Sequence, residues 1–160
     1  MVGVHTGRGN HVPFHASRAR VTQLRSEPLA VLLVEDNPAD ADLTCETLEA
    51  NAEGLDVRVA ADGMAALEQL RGAEPPDIVF LDLNLPRKSG HEVLREIRSD
   101  EALRRIPVVV LTSSSALPDV SRSYDLGANS YVTKPGDLET FQEVVGETGR
   151  FWLGVARLPT

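Results

Sequence analysis

Five short runs, apolar or alternating, recur along this chain with helix-like segments between them: Leu29–Val34, Leu55–Ala60, Asp77–Leu81, Pro107–Leu111 and Ser130–Val132. Runs this brief, bounded by turn-forming residues, read as strands rather than helix cores. The continuous ones suit strands buried on both faces. Strands that alternate with helices build a parallel sheet covered on both sides, because each crossover returns the chain in the same direction. The helix starts are marked as clearly. Asn37 precedes Pro38, and Asp62, Ser89, Pro118 and Asp137 open the other helices. Leu43, Thr47 and Leu48 form the inward stripe of the first helix, and Ala66, Leu67 and Leu70 that of the second. The third buries Val93, Leu94 and Ile97; the fourth carries Val120 and Tyr124 and closes near Gly127.

In doubly wound sheets a ligand sits beyond the carboxyl ends of the strands. The residues just past those ends are Glu35 and Asp36, then Asp82, Thr112 and Lys134. Three carboxylates gathered at one edge repel, so protonation or a cation must relieve them. A hard divalent ion with oxygen ligands, Mg²⁺, is the natural remedy. An oxygen of Asp82 could then attack phosphorus to give an acyl phosphate. Mg²⁺, the Lys134 ammonium and the Thr112 hydroxyl would meet the charge on the equatorial oxygens. Singly, each residue has an ordinary reading: an acidic helix start, a turn-shaping aspartate, a polar strand exit, a Lys-Pro turn. Their succession at four strand ends points to a site.

With 160 residues, 42% of them apolar, the chain is expected to form one soluble domain. No apolar run approaches the roughly 20 residues of a membrane span. Cys45 is the single cysteine, which excludes an internal disulfide and suits the cytoplasm. Residues 1–28 hold four arginines against Glu27, a net +3, while the remainder holds 12 basic and 23 acidic residues, a net −11. The acidic body disfavours direct nucleic acid binding. Residues 1–28 lack any sustained period and read as a disordered extension; its Arg-rich, acid-poor character also fits a transit peptide. His5, His11 and His15 are spaced there too irregularly for a metal site. Residues 29–160 form the folded domain.

The segments VLLVEDNPAD, DIVFLDLNLPRKSG, IPVVVLTSS and GANSYVTKP together resemble the receiver domains of two-component response regulators. That resemblance spans about residues 29–145 and implies a flavodoxin-like (βα)5 fold with strand order 2-1-3-4-5. It implies that Glu35 and Asp36 organise Mg²⁺, that Asp82 accepts the phosphoryl group, and that the Asn84 backbone carbonyl completes the metal shell. Thr112 corresponds to the switch hydroxyl, Lys134 to the lysine contacting the phosphoryl group, and Tyr131 to the coupling aromatic. A cis peptide before Pro135 is implied as well. The stretch RSYDLGANSYVTKPGDLETF, with the tail FWLGVARLP, resembles the small regulators that serve phytochrome-type sensor kinases. The implied partner is a sensor histidine kinase, and the protein would catalyse only its own phosphotransfer and dephosphorylation.

The tail exceeds what a minimal receiver needs. Leu138, Phe141, Val145, Thr148 and Trp152 make one stripe; Val144, Phe151, Val155 and Leu158 make another. Two stripes need two partners, so a homodimer through Phe141, Phe151, Trp152 and Val155 is expected. Gly146 and Gly149 weaken this helix. With the chain ending at Thr160, no winged-helix output domain is expected. Two other functions fit parts of the pattern. An aspartate-nucleophile phosphatase would use the same residue types, but it carries a second aspartate two positions after the nucleophile, where this chain has Asn84. A non-phosphorylated interaction module would not need the reactive set at all.

Overall fold

The computed structural model describes residues 27–159. The extension expected over residues 1–28, with its three histidines, lies almost wholly outside them. The elements run β1 (Leu29–Val34), α1 (Pro38–Asn51), β2 (Leu55–Ala60), α2 (Gly63–Leu70), β3 (Ile78–Leu81), α3 (Gly90–Ser99), β4 (Val108–Thr112), α4 (Leu117–Asp125), β5 (Ser130–Thr133) and α5 (Leu138–Arg150). All strands pair in parallel, in the expected order β2-β1-β3-β4-β5.

The caps sit where polar side chains precede helical stretches. Asn37 accepts from the amides of Ala39 and Asp40, Asp62 from that of Ala65, and Asp137 from that of Thr140. Ser89 and Glu92 form a reciprocal capping box. Asp77 stays outside β3: its carboxylate accepts from the Ala30 amide, pinning the start of β1. The central strand β3 is buried throughout and divides the core by alternation. Val79 and Leu81 face the layer under α2 and α3, while Ile78 and Phe80 face the layer under α1 and α5.

Helix α4 is the loosest cover. Ser123 is its one buried residue, and its hydroxyl meets the buried His91 ring of α3 at 2.9 Å. Tyr124 is exposed rather than inward; its hydroxyl accepts from the Tyr131 amide of the edge strand. Burial and the Arg122 charge hold His91 below the usual imidazole range, which favours the neutral ring.

The C-terminal helix departs from the expected pair of stripes. Phe141 is 4% exposed and belongs to the core, so it is no part of an interface. Regular α-helix ends at Arg150 and passes into a single π-helical turn, Phe151–Val155, closed by the Ala156 amide on the Phe151 carbonyl at 2.7 Å. The wider turn rotates every later side chain relative to a straight α-helix. Trp152, Leu153 and Leu158 pack on the core, while Phe151 and Val155 are exposed at 51% and 67%. Gly149 does more than weaken the helix: a Cβ there would stand 2.8 Å from Leu48 Cδ2 of α1. The glycine lets α5 approach α1 closely, and Arg150 fastens the pair through Asn51 at 2.6 Å.

No peptide bond among the described residues is cis, so Lys134–Pro135 is trans, contrary to expectation. The isomers differ by only about 0.5–1 kcal/mol before proline, and a proline alone does not select one.

Gly90 carries a sharper constraint. A Cβ at this position would lie 2.7 Å from the Leu83 Cα and closer still to the Asp82 carbonyl oxygen. Backbone cannot yield as a side-chain tip can, so Gly90→Ala should cost about 1–3 kcal/mol or more. Gly136 has open space where a Cβ would stand, with nothing within 4 Å, and should tolerate alanine within about 0.5 kcal/mol. Urea unfolding of the two variants checks this; equal stability would refute the close approach.

Candidate functional site

The sheet ladder extends one rung past its strands and places the polar residues. The Glu35 amide donates to the Ala60 carbonyl, the Asp82 amide to Val34, and the Lys134 amide to Thr112. Because Val34 pairs with Leu81 and Thr112 with Thr133, the residues that follow emerge together at one edge. Backbone register, not side-chain attraction, collects them.

Oxygens of Glu35, Asp36 and Asp82 lie within 4.8 Å of one another. Glu35 and Asp82 are buried, whereas Asp36 opens to solvent. Two ligands of one octahedral Mg²⁺ stand roughly 3–4 Å apart. Three hard oxygen donors at this spacing therefore suit a divalent cation after small movements, and Asp36 leaves room for retained water. Asn84 is exposed; its amide donates to Asp82 Oδ1 at 3.3 Å, which holds the loop beside the cluster.

Thr112 is fully buried, and its hydroxyl donates to Asp82 Oδ1 at 2.8 Å. Lys134, with a 5% exposed side chain, reaches from the end of β5 to the β1 side of the sheet. Its ammonium lies 2.7 Å from Glu35 Oε2, 3.1 Å from Asp40 Oδ2 and 3.5 Å from Asp82 Oδ2. Burial works against the Lys134 charge. The Glu35 hydrogen bond and the charges of Asp82 and Glu35 outweigh it and hold the lysine above its ordinary range. Burial pushes the Glu35 carboxyl up, Lys134 draws it down, and the Asp82 charge pushes it up again; the net direction is upward. Unlike the ammonium, this carboxyl does not find full compensation in its ion pair.

Tyr131 is half-buried, and its hydroxyl donates to the Ser114 carbonyl at 2.7 Å. It thus ties the edge strand to the loop that follows Thr112, and Ser114 in turn donates to Asp119 at the start of α4. Glu35, Asp36, Asp82, Asn84, Thr112 and Lys134 therefore share one locale, with Tyr131 linked to it through the β4–α4 loop. Phe141, Phe151, Trp152 and Val155 lie on the C-terminal helix and the turn after it. Sequence reasoning missed Asp40. Its place in the first turn of a helix reads as an ordinary acidic helix start, and nothing in the sequence pattern signals the lysine it shares with Glu35.

A family model, the response regulator receiver domain, matches residues 31–146. The response regulator Rcp1 of Synechocystis is 41% identical over 138 residues, spanning 82% of this chain and 94% of that protein. The probable methanogenesis regulatory protein FilR2 of Methanothrix harundinacea is 43% identical over 138 residues, 83% of this chain and 89% of its own length. The crystal structure of the phosphorylated cyanobacterial phytochrome response regulator RcpA is 44% identical and covers 83% of this chain and 99% of its own, with a TM-score of 0.79. The Mn²⁺-bound form of Rcp1 has a TM-score of 0.80 over 83% of this chain.

Lys134→Met would leave the carboxylates without their shared counter-charge. Breaking a fully interior pair costs about 3–5 kcal/mol. Asp40 is 43% exposed, so the expected loss is smaller, about 2 kcal/mol at neutral pH. Lowering the pH protonates the stranded carboxyls, so the deficit relative to wild type should shrink through the carboxylate range. Denaturant titrations at neutral and acidic pH test this; a deficit that grows on acidification would contradict it.

Proposed function

The chain belongs to the response regulator receiver domain family and is a phosphorylation-based signalling module; from that premise we propose that Asp82 is its phosphoacceptor and a sensor histidine kinase its donor. One observation carries the assignment. Asp82 is a buried carboxylate at the meeting point of a hydroxyl donor, an ammonium and two further acids. Glu35, Asp36, Asp82 and the Asn84 carbonyl would hold Mg²⁺, which when bound supplies positive charge to the equatorial phosphoryl oxygens.

The rest of the chemistry belongs to the side chains. An Asp82 oxygen forms the new P–O bond as the P–N bond to the donor imidazole breaks, and the electron pair returns to the nitrogen. Lys134, charged and close to Asp82 Oδ2, shifts to a phosphoryl oxygen. The Thr112 hydroxyl exchanges its Asp82 acceptor for another. Because Tyr131 holds the Ser114 carbonyl two residues on, displacement of Thr112 is felt at β5 and α4. Water attacking phosphorus returns the Asp82 carboxylate and releases phosphate. Asn84, unlike an aspartate there, cannot exchange a proton, which disfavours rapid turnover of external phosphate esters.

The likeness to RcpA and Rcp1 supports a phytochrome-type kinase as donor. The free Cys45 thiol supports a cytoplasmic location, and among the described residues no helix is long and apolar enough to cross a membrane. Output through protein contacts rather than DNA suits the acidic surface. Intact-mass measurement after incubation with acetyl phosphate and Mg²⁺ tests the acceptor. Wild type should gain one phosphoryl group and Asp82→Asn none; equal labelling of both would overturn the assignment.

A homodimer through the C-terminal turn is proposed on narrower ground than the sequence suggested. Phe151 and Val155 project from it, and the Phe151 ring stands edge-on to Trp152 with centroids 5.3 Å apart. Two exposed apolar residues on one turn favour a second copy. Analytical ultracentrifugation at micromolar concentration should show a dimer that Phe151→Glu dissociates. A monomer in both cases would sink the proposal.

A further inference from the structure

Lys134 serves three carboxylates with three protons, and the division is unequal. Glu35 stands at 2.7 Å, Asp40 at 3.1 Å and Asp82, where the reaction is placed, at 3.5 Å. Glu35 and Asp40 both belong to the β1–α1 segment, and β3 carries Asp82 to the next place in the sheet. The ammonium is therefore drawn past the phosphoacceptor toward β1.

Asp40 differs from the other acids in what it touches. It is not among the carboxylates close enough to share a cation, a set made of Glu35, Asp36 and Asp82. Its amide is fixed by the Asn37 cap, and its side chain meets Lys134. Helix α1 thus presents a negative charge to the lysine at a set distance, and that charge has no other role in the cluster.

We propose that Asp40 is a positioning residue that holds Lys134 back from Asp82 and so sets how readily the lysine engages a phosphoryl group there. The inference rests on Asp82 being the phosphoacceptor. When an anionic donor arrives, Lys134 must turn toward it, and Asp40 competes for the same ammonium. Neutralising Asp40 lets the lysine turn without that competition. A half-exposed ion pair is modest, so the expected change is modest as well: roughly a two- to five-fold faster reaction with a small donor.

The experiment follows phosphorylation by acetyl phosphate in Mg²⁺, read by intact mass, in wild type, Asp40→Asn, Asp40→Glu and Asp42→Asn. Asp42 is exposed on the same helix, so its variant removes an equal charge away from the lysine. Asp40→Asn should react roughly two- to five-fold faster, Asp40→Glu should return toward the wild-type rate, and Asp42→Asn should match wild type. Calorimetric titration with Mg²⁺ should still show one saturable site in Asp40→Asn, because Asp40 is no ligand, and rates are compared at saturating Mg²⁺. A crystal structure of metal-free Asp40→Asn should show Lys134 Nζ nearer to Asp82 than 3.5 Å. An Asp40→Asn rate no faster than that of Asp42→Asn, in a chain of normal melting temperature, overturns the positioning role while leaving Asp82 as acceptor. No labelling of wild type overturns both.

Discussion

One buried ammonium among converging carboxylates is the interaction on which the chemistry of this sheet edge depends. Parallel pairing brings Glu35, Asp36 and Asp82 to a single edge, and like charges there would drive the strand ends apart. Lys134 answers from the far side of the sheet, itself locked by its amide to the Thr112 carbonyl. The arrangement remains short of positive charge, since one lysine faces four acids once Asp40 is included. That deficit suits a divalent cation and, in the proposed chemistry, then a phosphoryl group. A fully neutralised cluster would be inert.

The core exists to keep that deficit in place. β3, buried from Ile78 to Leu81, fixes where Asp82 emerges, and Gly90 brings α3 against the Asp82 and Leu83 backbone. Thr112 is fixed to Asp82, and the loop beyond it is fixed to Tyr131 and Asp119. The rigid part ends there. Helix α4 buries only Ser123 and touches α3 through a hydroxyl–imidazole contact. In the proposed switch, a displacement of Thr112 would meet tight packing on the β3 side and a lightly held helix on the other, and so would direct movement outward.

Most of the strands are legible in the chain because buried parallel strands are continuous apolar runs, and most helix starts because capping needs a few residue types. The strand-end residues are legible for the same reason: once the strands are placed, the edge is placed. Legibility fails where side chains act across elements or where the backbone leaves its regular period. One straight helix, extrapolated from the sequence, turns Phe141 and Trp152 toward a partner. Phe141 instead completes the core, Trp152 packs on that same face, and the π turn after Arg150 leaves Phe151 and Val155 outside. Gly149 reads as a weak helix residue until Leu48 of α1 is seen against it. Asp40 looks like a helix-start acid until Lys134 arrives from 94 residues away. Tyr124 follows the apolar stripe yet stands outside, because the edge strand offers an amide to its hydroxyl.

The most direct test of charge convergence at the sheet edge is a Mg²⁺ titration of the chain followed by backbone amide NMR. Saturable shifts are expected, concentrated at residues 35–37, 82–84, 112–114 and 134, elements far apart in sequence that answer to one binding constant. Shifts confined to the exposed acids of α1 and α5, or separate binding constants for the strand ends, would contradict it.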